Sequence, residues 1–346
     1  MNITNSTFFT SHNAIAVLDI GITTQKICVI DPSQPDSPLS YQRILFSLNK
    51  KKDEFETFIK SLLRSYSDFG IRDFILTTSA EPVFDSDQEA VSFIGKIVNK
   101  YVNNVSYYSL DNSFLSPDEA EKNPSKVVSA GWKALAEAAY DFVKEDFLAI
   151  EFSTRTFSLA PVKEGKYAAN SRNNYERMLN DELLFIGTLE TNLVNIENPF
   201  IFDGKKIYLP SFPHARTEDL FFISNDLHTS QTDTNLTLDQ IRENAYRNVS
   251  KMFCISNYKE NMDILQKITD NLIQKILNII KNAIQQKLKA YGLDKIVLFG
   301  IGADLLFDYL SQDEEFANIK IVKGSDFVSV EFSPAFAIGY LYTKKL

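Results

Sequence analysis

The sequence has 346 residues, enough for two domains of ordinary size, and a globular composition with 44% hydrophobic and 23% charged residues. Lys and Arg number 36 against 45 Asp and Glu, a net charge of -9 without a Lys/Arg-rich run, which argues against nucleic acid and membrane surfaces as partners. Two distant cysteines exclude a disulfide framework and favour the cytoplasm, and no apolar run approaches the ~20 residues of a membrane span.

The first part of the chain predicts a hairpin followed by alternating strands and helices. Residues 14–31 are two β-rich runs around a polar centre, so we expect a hairpin whose tip is IGITTQ. After a proline-rich turn, the pattern predicts strands at 40–48, 73–77 and 104–109 and helices at about 53–67 and 87–101. This order predicts a mixed α/β sheet covered by helices.

The same pattern then occurs a second time. A helix predicted at 127–143 leads into residues 147–162, which again read as strand, polar tip and strand. Because a duplicated α/β unit that opens on a hairpin is a specific architecture, we expect two similar halves facing a cleft. The expected division is 1–126 plus 325–346 for the first domain and 127–324 for the second.

The rest of the chain contains one strongly periodic helix. Apolar residues keep helical spacing from Ile264 to Tyr291, and Gly292 predicts the end of this helix. The other predicted features are extended runs around 182–189 and 205–210, a polar surface loop from Asn225 to Asn235, a helix at Thr237–Cys254, strands at 295–299 and 318–322, and helices at 303–311 and 334–342.

The tip of the first hairpin carries the clearest chemical signal. Its residues are an acid at the end of a strand, a glycine, two hydroxyls and an ammonium, namely Asp19, Gly21, Thr23, Thr24 and Lys26. The glycine, the hydroxyls and the backbone amides suit a phosphate, and the carboxylate suits a hydrated Mg²⁺. A solvated hairpin with polar residues at an exposed turn is the alternative.

A second signal lies at the strand-to-helix turn that contains Gly300, Gly302 and Ala303. A helix N-terminus offers free amides to a phosphate or nucleoside, although a tight structural turn has the same sequence. Only 12 glycines accompany 27 Phe and 15 Tyr, a small supply for a phosphate-binding protein. The three histidines, His12, His214 and His228, form no metal-ligand pattern with the cysteines.

These pieces, in this order, resemble the actin, Hsp70 and sugar-kinase superfamily. The resemblance implies a two-domain actin-like ATPase (ribonuclease H-like) fold, with duplicated mixed sheets and helices around a central cleft. It implies catalytic roles for Asp19, Lys26 and Glu151, with Asp19 also binding Mg²⁺. It implies that ATP or a diphosphate substrate is held by residues of the two hairpins and the glycine turn: Gly21, Thr23, Thr24, Ser153, Thr154, Arg155, Gly300, Gly302 and Ala303.

Six segments resemble a narrower family, the tetrahydromethanopterin-linked one-carbon-pathway and methanofuran-biosynthesis synthases, relatives of the hydantoinase and oxoprolinase ATPases. They are ILTTSAEPVF (75–84), VSAGWKALA (128–136), FLAIEFSTRTFSLAPV (147–162), RMLNDELLFIGTLETNLV (177–194), FPHARTEDLF (212–221) and AYRNVSKMFC (245–254). This resemblance implies a transferase that joins a furan-methyl diphosphate to a phenolic amine with release of diphosphate. It also implies small-molecule partners, a possible homodimer, and substrate contacts from Glu182 and Asp219.

The chain departs from this family at the second hairpin. Glu151 and Ser153 stand where the family has Asp and Gly, and Glu190 stands where it has an arginine. A Cβ at position 153 limits positive φ and close phosphate approach, whereas Arg155 offers a compensating forked donor. Two alternatives therefore remain open: an ATP-dependent small-molecule kinase or hydrolase, and a nucleotide-binding protein of the actin type without a metabolic substrate.

Overall fold

The computed structural model describes residues 13–227 and 236–346, so His12, His228 and most of the predicted polar loop up to Asn235 lie outside the described residues. The chain divides into two compact units. The first comprises Met1–Glu145, Glu164–Asn174 and Gly324–Leu346, and the second comprises Asp146–Lys163 and Tyr175–Lys323.

The strands and helices are numbered along the chain. The strands are β1 Ala14–Ile20, β2 Thr24–Ile30, β3 Ser40–Leu45, β4 Ile71–Thr78, β5 Val105–Tyr108, β6 Phe114–Leu115, β7 Phe147–Phe152, β8 Phe157–Lys163, β9 Lys166–Tyr167, β10 Leu183–Leu184, β11 Phe200–Phe202, β12 Lys205–Ile207, β13 Lys295–Phe299 and β14 Lys320–Lys323. The helices are α1 Phe55–Arg64, α2 Asp87–Val98, α3 Pro117–Lys122, α4 Pro124–Val127, α5 Gly131–Val143, α6 Asn174–Leu179, α7 Thr217–Ser224, α8 Leu238–Met252, α9 Met262–Tyr291, α10 Ala303–Ser311 and α11 Pro334–Thr343.

The first unit is built on a six-stranded sheet in the order β3-β2-β1-β4-β5-β6. Strand β1 pairs antiparallel with β2 and parallel with β4, and β4 pairs parallel with β5. Strand β1 is buried along its whole length because it is central in the sheet and covered by other elements, which explains its nearly continuous apolar sequence.

The sheet of the second unit repeats this arrangement in the order β10-β8-β7-β13-β14. Strand β7 pairs antiparallel with β8 and parallel with β13, and β13 pairs parallel with β14. The order and strand directions therefore match those of β3-β2-β1-β4-β5. The duplicated mixed α/β sheets confirm the predicted fold class, and each unit has its own apolar core.

Helix α5 lies in the first unit, whereas the sequence pattern predicts residues from 127 onward to belong to the second domain. The helix packs against α11, which returns from the end of the chain. The ring of Phe142 lies 5.1 Å from that of Tyr340 and 6.4 Å from that of Phe336, measured between centroids. Apolar contact with a segment nearly 200 residues later determines where α5 belongs, and local sequence contains no sign of it.

Most predicted elements are present, and the main difference lies at residues 182–189. Only Leu183–Leu184 forms a strand there. The amides of Thr188, Leu189 and Glu190 donate to carbonyls at the tip of the second hairpin instead of to a neighbouring strand. Strand β12 lies in the extended run predicted around 205–210, and it pairs with β11, which is an additional element. Among the described residues, we find no helix whose length and apolar character would let it cross a membrane.

Candidate functional site

The first hairpin, formed by β1 and β2, brings its predicted site residues together. Asp19 on β1 is the register partner of Lys26 on β2. The amide of Gly21 donates to the carbonyl of Thr24 at 3.2 Å, and a Cβ added to Gly21 would lie 2.6 Å from that same oxygen. The turn therefore requires glycine at position 21.

A buried glutamine fixes the shape of this turn. Gln25 Nε2 donates to the carbonyls of Gly21 and Phe46, both at 2.9 Å, and the amide of Phe46 donates to the carbonyl of Thr23 at 3.1 Å. The hydroxyl oxygen of Thr24 is buried and has no hydrogen-bond partner among the described residues. Hydrogen bonds thus fix the shape of the tip, and the Thr24 hydroxyl could accept or donate a hydrogen bond that no described residue provides.

Asp19 is a buried carboxylate in a mixed electrostatic environment. It is 8% exposed, and its Oδ2 accepts from Lys26 Nζ at 3.4 Å. Burial raises the pKa of Asp19 above its ordinary value, the Lys26 ammonium opposes this rise, and the carboxylate of Glu331 adds to it. Asp19 therefore has only partial charge compensation from its protein neighbours.

Glu331, which no sequence motif indicated, joins this group from the segment before α11. Its Oε2 accepts the Tyr41 hydroxyl at 2.8 Å and lies 4.0 Å from Arg43 Nη1. Arg43 on β3 is the register partner of Lys26 on β2. Burial, followed by the Glu331 charge, raises the pKa of Tyr41 above its usual range. Strand register alone predicts that Asp19, Lys26 and Arg43 lie side by side across three strands. Glu331 is brought to this group by tertiary folding, which strand register does not predict.

The carboxyl end of β4 contributes a further polar group next to the hairpin. The amide of Ser79 donates to the carbonyl of Ile20 at 3.0 Å, which ties the residues after β4 to the end of β1. Glu81 follows two residues later and accepts the hydroxyl of Ser129 at 2.5 Å. These residues lie within the ILTTSAEPVF and VSAGWKALA segments, but the sequence did not single them out.

The tip of the second hairpin closes without a glycine of its own. Ser153 is not among the residues with positive φ. Its amide donates to the carbonyl of Thr156 at 2.9 Å, and its hydroxyl lies 3.2 Å from that carbonyl and 3.0 Å from the Thr156 hydroxyl. A serine thus fits the backbone conformation here, so the expected conflict with positive φ does not arise.

A loop covers this tip, and the glycine needed for close contact lies in the loop. The amides of Leu189 and Glu190 donate to the carbonyl of Thr154 at 3.1 and 3.0 Å. A Cβ added to Gly187 would lie 2.3 Å from both the Thr154 carbonyl oxygen and the Arg155 amide nitrogen. The loop and the tip therefore pack backbone against backbone.

Arg155 and Glu190 form an ion pair at the same place. Arg155 Nε lies 3.4 Å from Glu190 Oε2, and the side chains are 37% and 28% exposed. The acid that replaces the family's arginine is therefore balanced by a neighbouring base. Burial raises the pKa of Glu218, Arg216 opposes this rise, and Glu190 adds to it.

The glycine turn of the second unit packs on this hairpin. Gly300 has φ 84°, and the amide of Gly302 donates to the carbonyl of Phe152 at 2.9 Å. A Cβ added to Gly300 would lie 2.6 Å from the Phe152 oxygen and 3.4 Å from Glu151 Cγ. Helix α10 begins at Ala303. The predicted residues of hairpin 2 and of this turn are thus neighbours within the second unit.

The two predicted substrate residues are both buried in the second unit. Glu182 is 1% exposed; its Oε1 lies 4.0 Å from Lys287 Nζ, and its carbonyl accepts from Arg177 Nη2 at 3.2 Å. Asp219 is 6% exposed and accepts from the Arg216 amide at 2.8 Å and from Asn248 Nδ2 at 3.0 Å. Burial raises the pKa of Asp219 to about 7.

The described residues contain no group of three or more His, Cys, Asp or Glu side chains placed to hold a metal ion. His214 is partly exposed, and its ring lies 5.0 Å from that of Phe212. A Mg²⁺ ion that keeps most of its waters needs only one or two protein carboxylates, so Asp19 with Glu331 remains a suitable pair.

Comparison with known proteins identifies a relative that matches nearly the whole chain. No protein-family model matches the sequence. The chain is 28% identical over 335 residues to the (4-{4-[2-(gamma-L-glutamylamino)ethyl]phenoxymethyl}furan-2-yl)methanamine synthase of Methanocaldococcus jannaschii, covering 95% of this chain and 97% of the relative. This chain is a relative of that synthase. The resemblance predicted from six segments is confirmed.

Further matches have lower identity. The synthase of the same name from Methanococcus vannielii is 26% identical over 220 residues, 61% of this chain and 97% of that protein. Two solved structures align at a TM-score of 0.48. They are ethanolamine utilization protein EutJ from Carboxydothermus hydrogenoformans, with 12% identity over 95% of this chain and 89% of that chain, and a ROK family glucokinase from Streptomyces griseus, with 11% identity over 95% and 98%.

Proposed function

We propose that this protein is a transferase of methanofuran biosynthesis that joins a furan-methyl diphosphate to a phenolic amine and releases diphosphate. The observation that supports this is the match to the Methanocaldococcus jannaschii synthase, which extends over 95% of this chain and 97% of that protein. A match of this extent covers most of both units. The site residues below are part of the same proposal.

The first hairpin would bind the diphosphate. Lys26 supplies a positive charge, and the Thr24 hydroxyl, which lacks a partner among the described residues, supplies a donor at the tip. Gly21 is required by the turn itself, because a Cβ there would lie 2.6 Å from the Thr24 carbonyl oxygen, so the glycine sets the shape of the tip that would receive the phosphate. Ammonium, hydroxyl and backbone amides together form the kind of site that holds a phosphate oxygen.

Asp19 and Glu331 would hold a Mg²⁺ ion. The donors fit that ion because both are carboxylates, one of them is buried, and Lys26 and Arg43 compensate their charge only in part. A bound Mg²⁺ would neutralise charge on the departing diphosphate. Lys26 lies beside Asp19 and would contact the same leaving group.

In this reaction the protein mainly has to position the two substrates and stabilise the negative charge on the leaving diphosphate. An electron-rich furan assists departure of diphosphate from the methylene carbon, so the protein must neutralise the leaving group and hold the phenol oxygen close to that carbon. No ATP is consumed in this scheme. The partners we propose are small molecules in the cytoplasm, and light scattering would test for a homodimer.

The test is to incubate the purified protein with an aminomethylfuran-methyl diphosphate, γ-glutamyltyramine and Mg²⁺. We expect the aryl ether and one diphosphate per ether formed, in the absence of ATP. ADP formation only when an acceptor is added would indicate a kinase instead. ATP-dependent sedimentation without an ether product would indicate a nucleotide-binding protein of the actin type. Either result would contradict the proposed function.

A further inference from the structure

Three polar side chains of the first unit converge beyond the carboxyl end of β4. The Ser129 hydroxyl donates to Glu81 Oε1 at 2.5 Å. Asn174 Nδ2 lies 3.0 Å from the Ser129 hydroxyl and 3.4 Å from the same Glu81 oxygen. The three residues come from separate segments of the chain. The carboxylate is therefore held in a fixed orientation through its Oε1 atom.

Ser129 occupies this position in an unfavourable backbone conformation. Its φ is 49°, in the left-handed region that serine rarely adopts, and its amide donates to the carbonyl of Thr78 at 2.6 Å. Strained backbone of this kind is concentrated at functional sites. In this backbone conformation the Ser129 hydroxyl donates to Glu81.

This group lies at the edge of the sheet that carries the first hairpin tip. Strands β1 and β4 are parallel neighbours, with Ile20 in register with Thr78, so both carboxyl ends reach the same edge. Ser79 Oγ lies 3.8 Å from where a Cβ on Gly21 would be. Ligands of α/β sheets bind beyond the carboxyl ends of parallel strands. Glu81 is thus close in the fold to the hairpin proposed to bind diphosphate.

We propose that Glu81 is the general base that accepts the proton of the phenolic acceptor, with Ser129 and Asn174 as positioning residues. This inference rests on the proposed function. The phenol oxygen forms a bond to the furan-methyl carbon, and the bond from that carbon to the diphosphate oxygen breaks. The electron pair of the broken bond leaves with diphosphate, and the phenolic proton passes to the Glu81 carboxylate.

A carboxylate is a sufficient base for this step. As the carbon–oxygen bond forms, the phenolic O–H becomes far more acidic than in the free phenol, so a weak base can remove the proton late in the reaction. The two hydrogen bonds to Glu81 Oε1 hold the carboxylate in place before the acceptor binds. They also keep it from rotating away from the acceptor.

The test compares Glu81→Gln with the wild-type protein, using γ-glutamyltyramine and a ring-fluorinated analogue whose phenol is more acidic. With the ordinary acceptor we expect kcat to fall by about 100-fold or more, the scale of general base catalysis, with KM nearly unchanged. With the fluorinated acceptor the loss of kcat in the variant should be smaller by about fivefold or more, because proton removal from that phenol depends less on a base. Equal deficits with the two acceptors, or no deficit, would overturn the proposal.

Two further variants separate catalysis from structure. Ser129→Ala should show a smaller loss of kcat with the same dependence on phenol acidity, which a purely structural residue would not show. Glu119→Gln is the matched control, because Glu119 is an exposed carboxylate that also accepts a serine hydroxyl, from Ser116 at 2.7 Å. It should keep wild-type kinetics with both acceptors.

A wild-type protein that forms no ether would overturn the proposed function as well, whereas ether formation with an unimpaired Glu81→Gln would overturn this inference alone.

Discussion

Glu190 Oε2 lies 3.4 Å from Arg155 Nε, so the acid that departs from the family pattern is paired with the base at the tip of the second hairpin. The pair is partly exposed, and its attraction is correspondingly modest. In the absence of ligand, Arg155 is therefore partly neutralised. An anion that binds at this tip has to compete with Glu190 for the guanidinium.

Removing the charge of Glu190 should strengthen anion binding at the second hairpin. We expect Glu190→Gln to tighten pyrophosphate binding by about two- to fivefold, which corresponds to about 0.5 to 1 kcal/mol for a partly exposed ion pair. Arg155→Ala should weaken it by about 1.5 to 3 kcal/mol, the scale of a charge-assisted hydrogen bond. Calorimetry on both variants and on the double variant measures this, and Glu190→Gln should have a smaller effect once Arg155 is absent, because only the direct repulsion between Glu190 and the anion then remains.

Asp19→Asn should abolish the Mg²⁺-dependent part of pyrophosphate binding. Lys26 and the hairpin backbone remain, so binding without Mg²⁺ should persist. Because burial already penalises the charged form of Asp19, the neutral side chain should not lower the melting temperature. Asp31→Asn, at the far end of the hairpin, is the control. Calorimetry with and without Mg²⁺ that gives the same dissociation constants as for the wild type would remove Asp19 from the proposed site.

The pKa of Asp219 predicts a pH-dependent stability. The folded value of about 7 lies above the ordinary 3.8, so the folded state binds the extra proton, and its stabilising effect is complete below about pH 4 and lost as pH rises through 7. At about 1.36 kcal/mol per pH unit, the largest possible loss is about 4 kcal/mol. Asp219→Asn should remove this loss, so urea unfolding of the variant should change less between pH 5 and pH 8. An identical pH profile would contradict the assignment.

Gly187→Ala should destabilise the second unit severely. A Cβ there would lie 2.3 Å from backbone atoms of Thr154 and Arg155, and neither backbone group can move without breaking the hairpin. Gly204→Ala is a suitable comparison, since Gly204 has φ 74° but nothing within 4 Å of an added Cβ. It should cost about 1 to 2 kcal/mol from backbone strain alone. Chemical unfolding should show a clearly greater loss for the Gly187 variant.

Local patterns predicted much of this molecule. The apolar spacing of α9, its end before Gly292 and the Asp19–Lys26 hairpin follow from periodicity and turn chemistry, which act over a few residues. Glu331 at the first hairpin and the pairing of Glu190 with Arg155 depend on which distant segments fold together. Glu182 and Asp219 lie in matching motifs, but a motif does not reveal burial.

Gly187 lets the main chain of the loop reach the main chain of the second hairpin, whose tip keeps Ser153. A Cβ at position 187 would lie 2.3 Å from backbone atoms of Thr154 and Arg155. The hairpin backbone itself therefore excludes a side chain at position 187, so a substitution there reports on the contact between two main chains and not on a ligand.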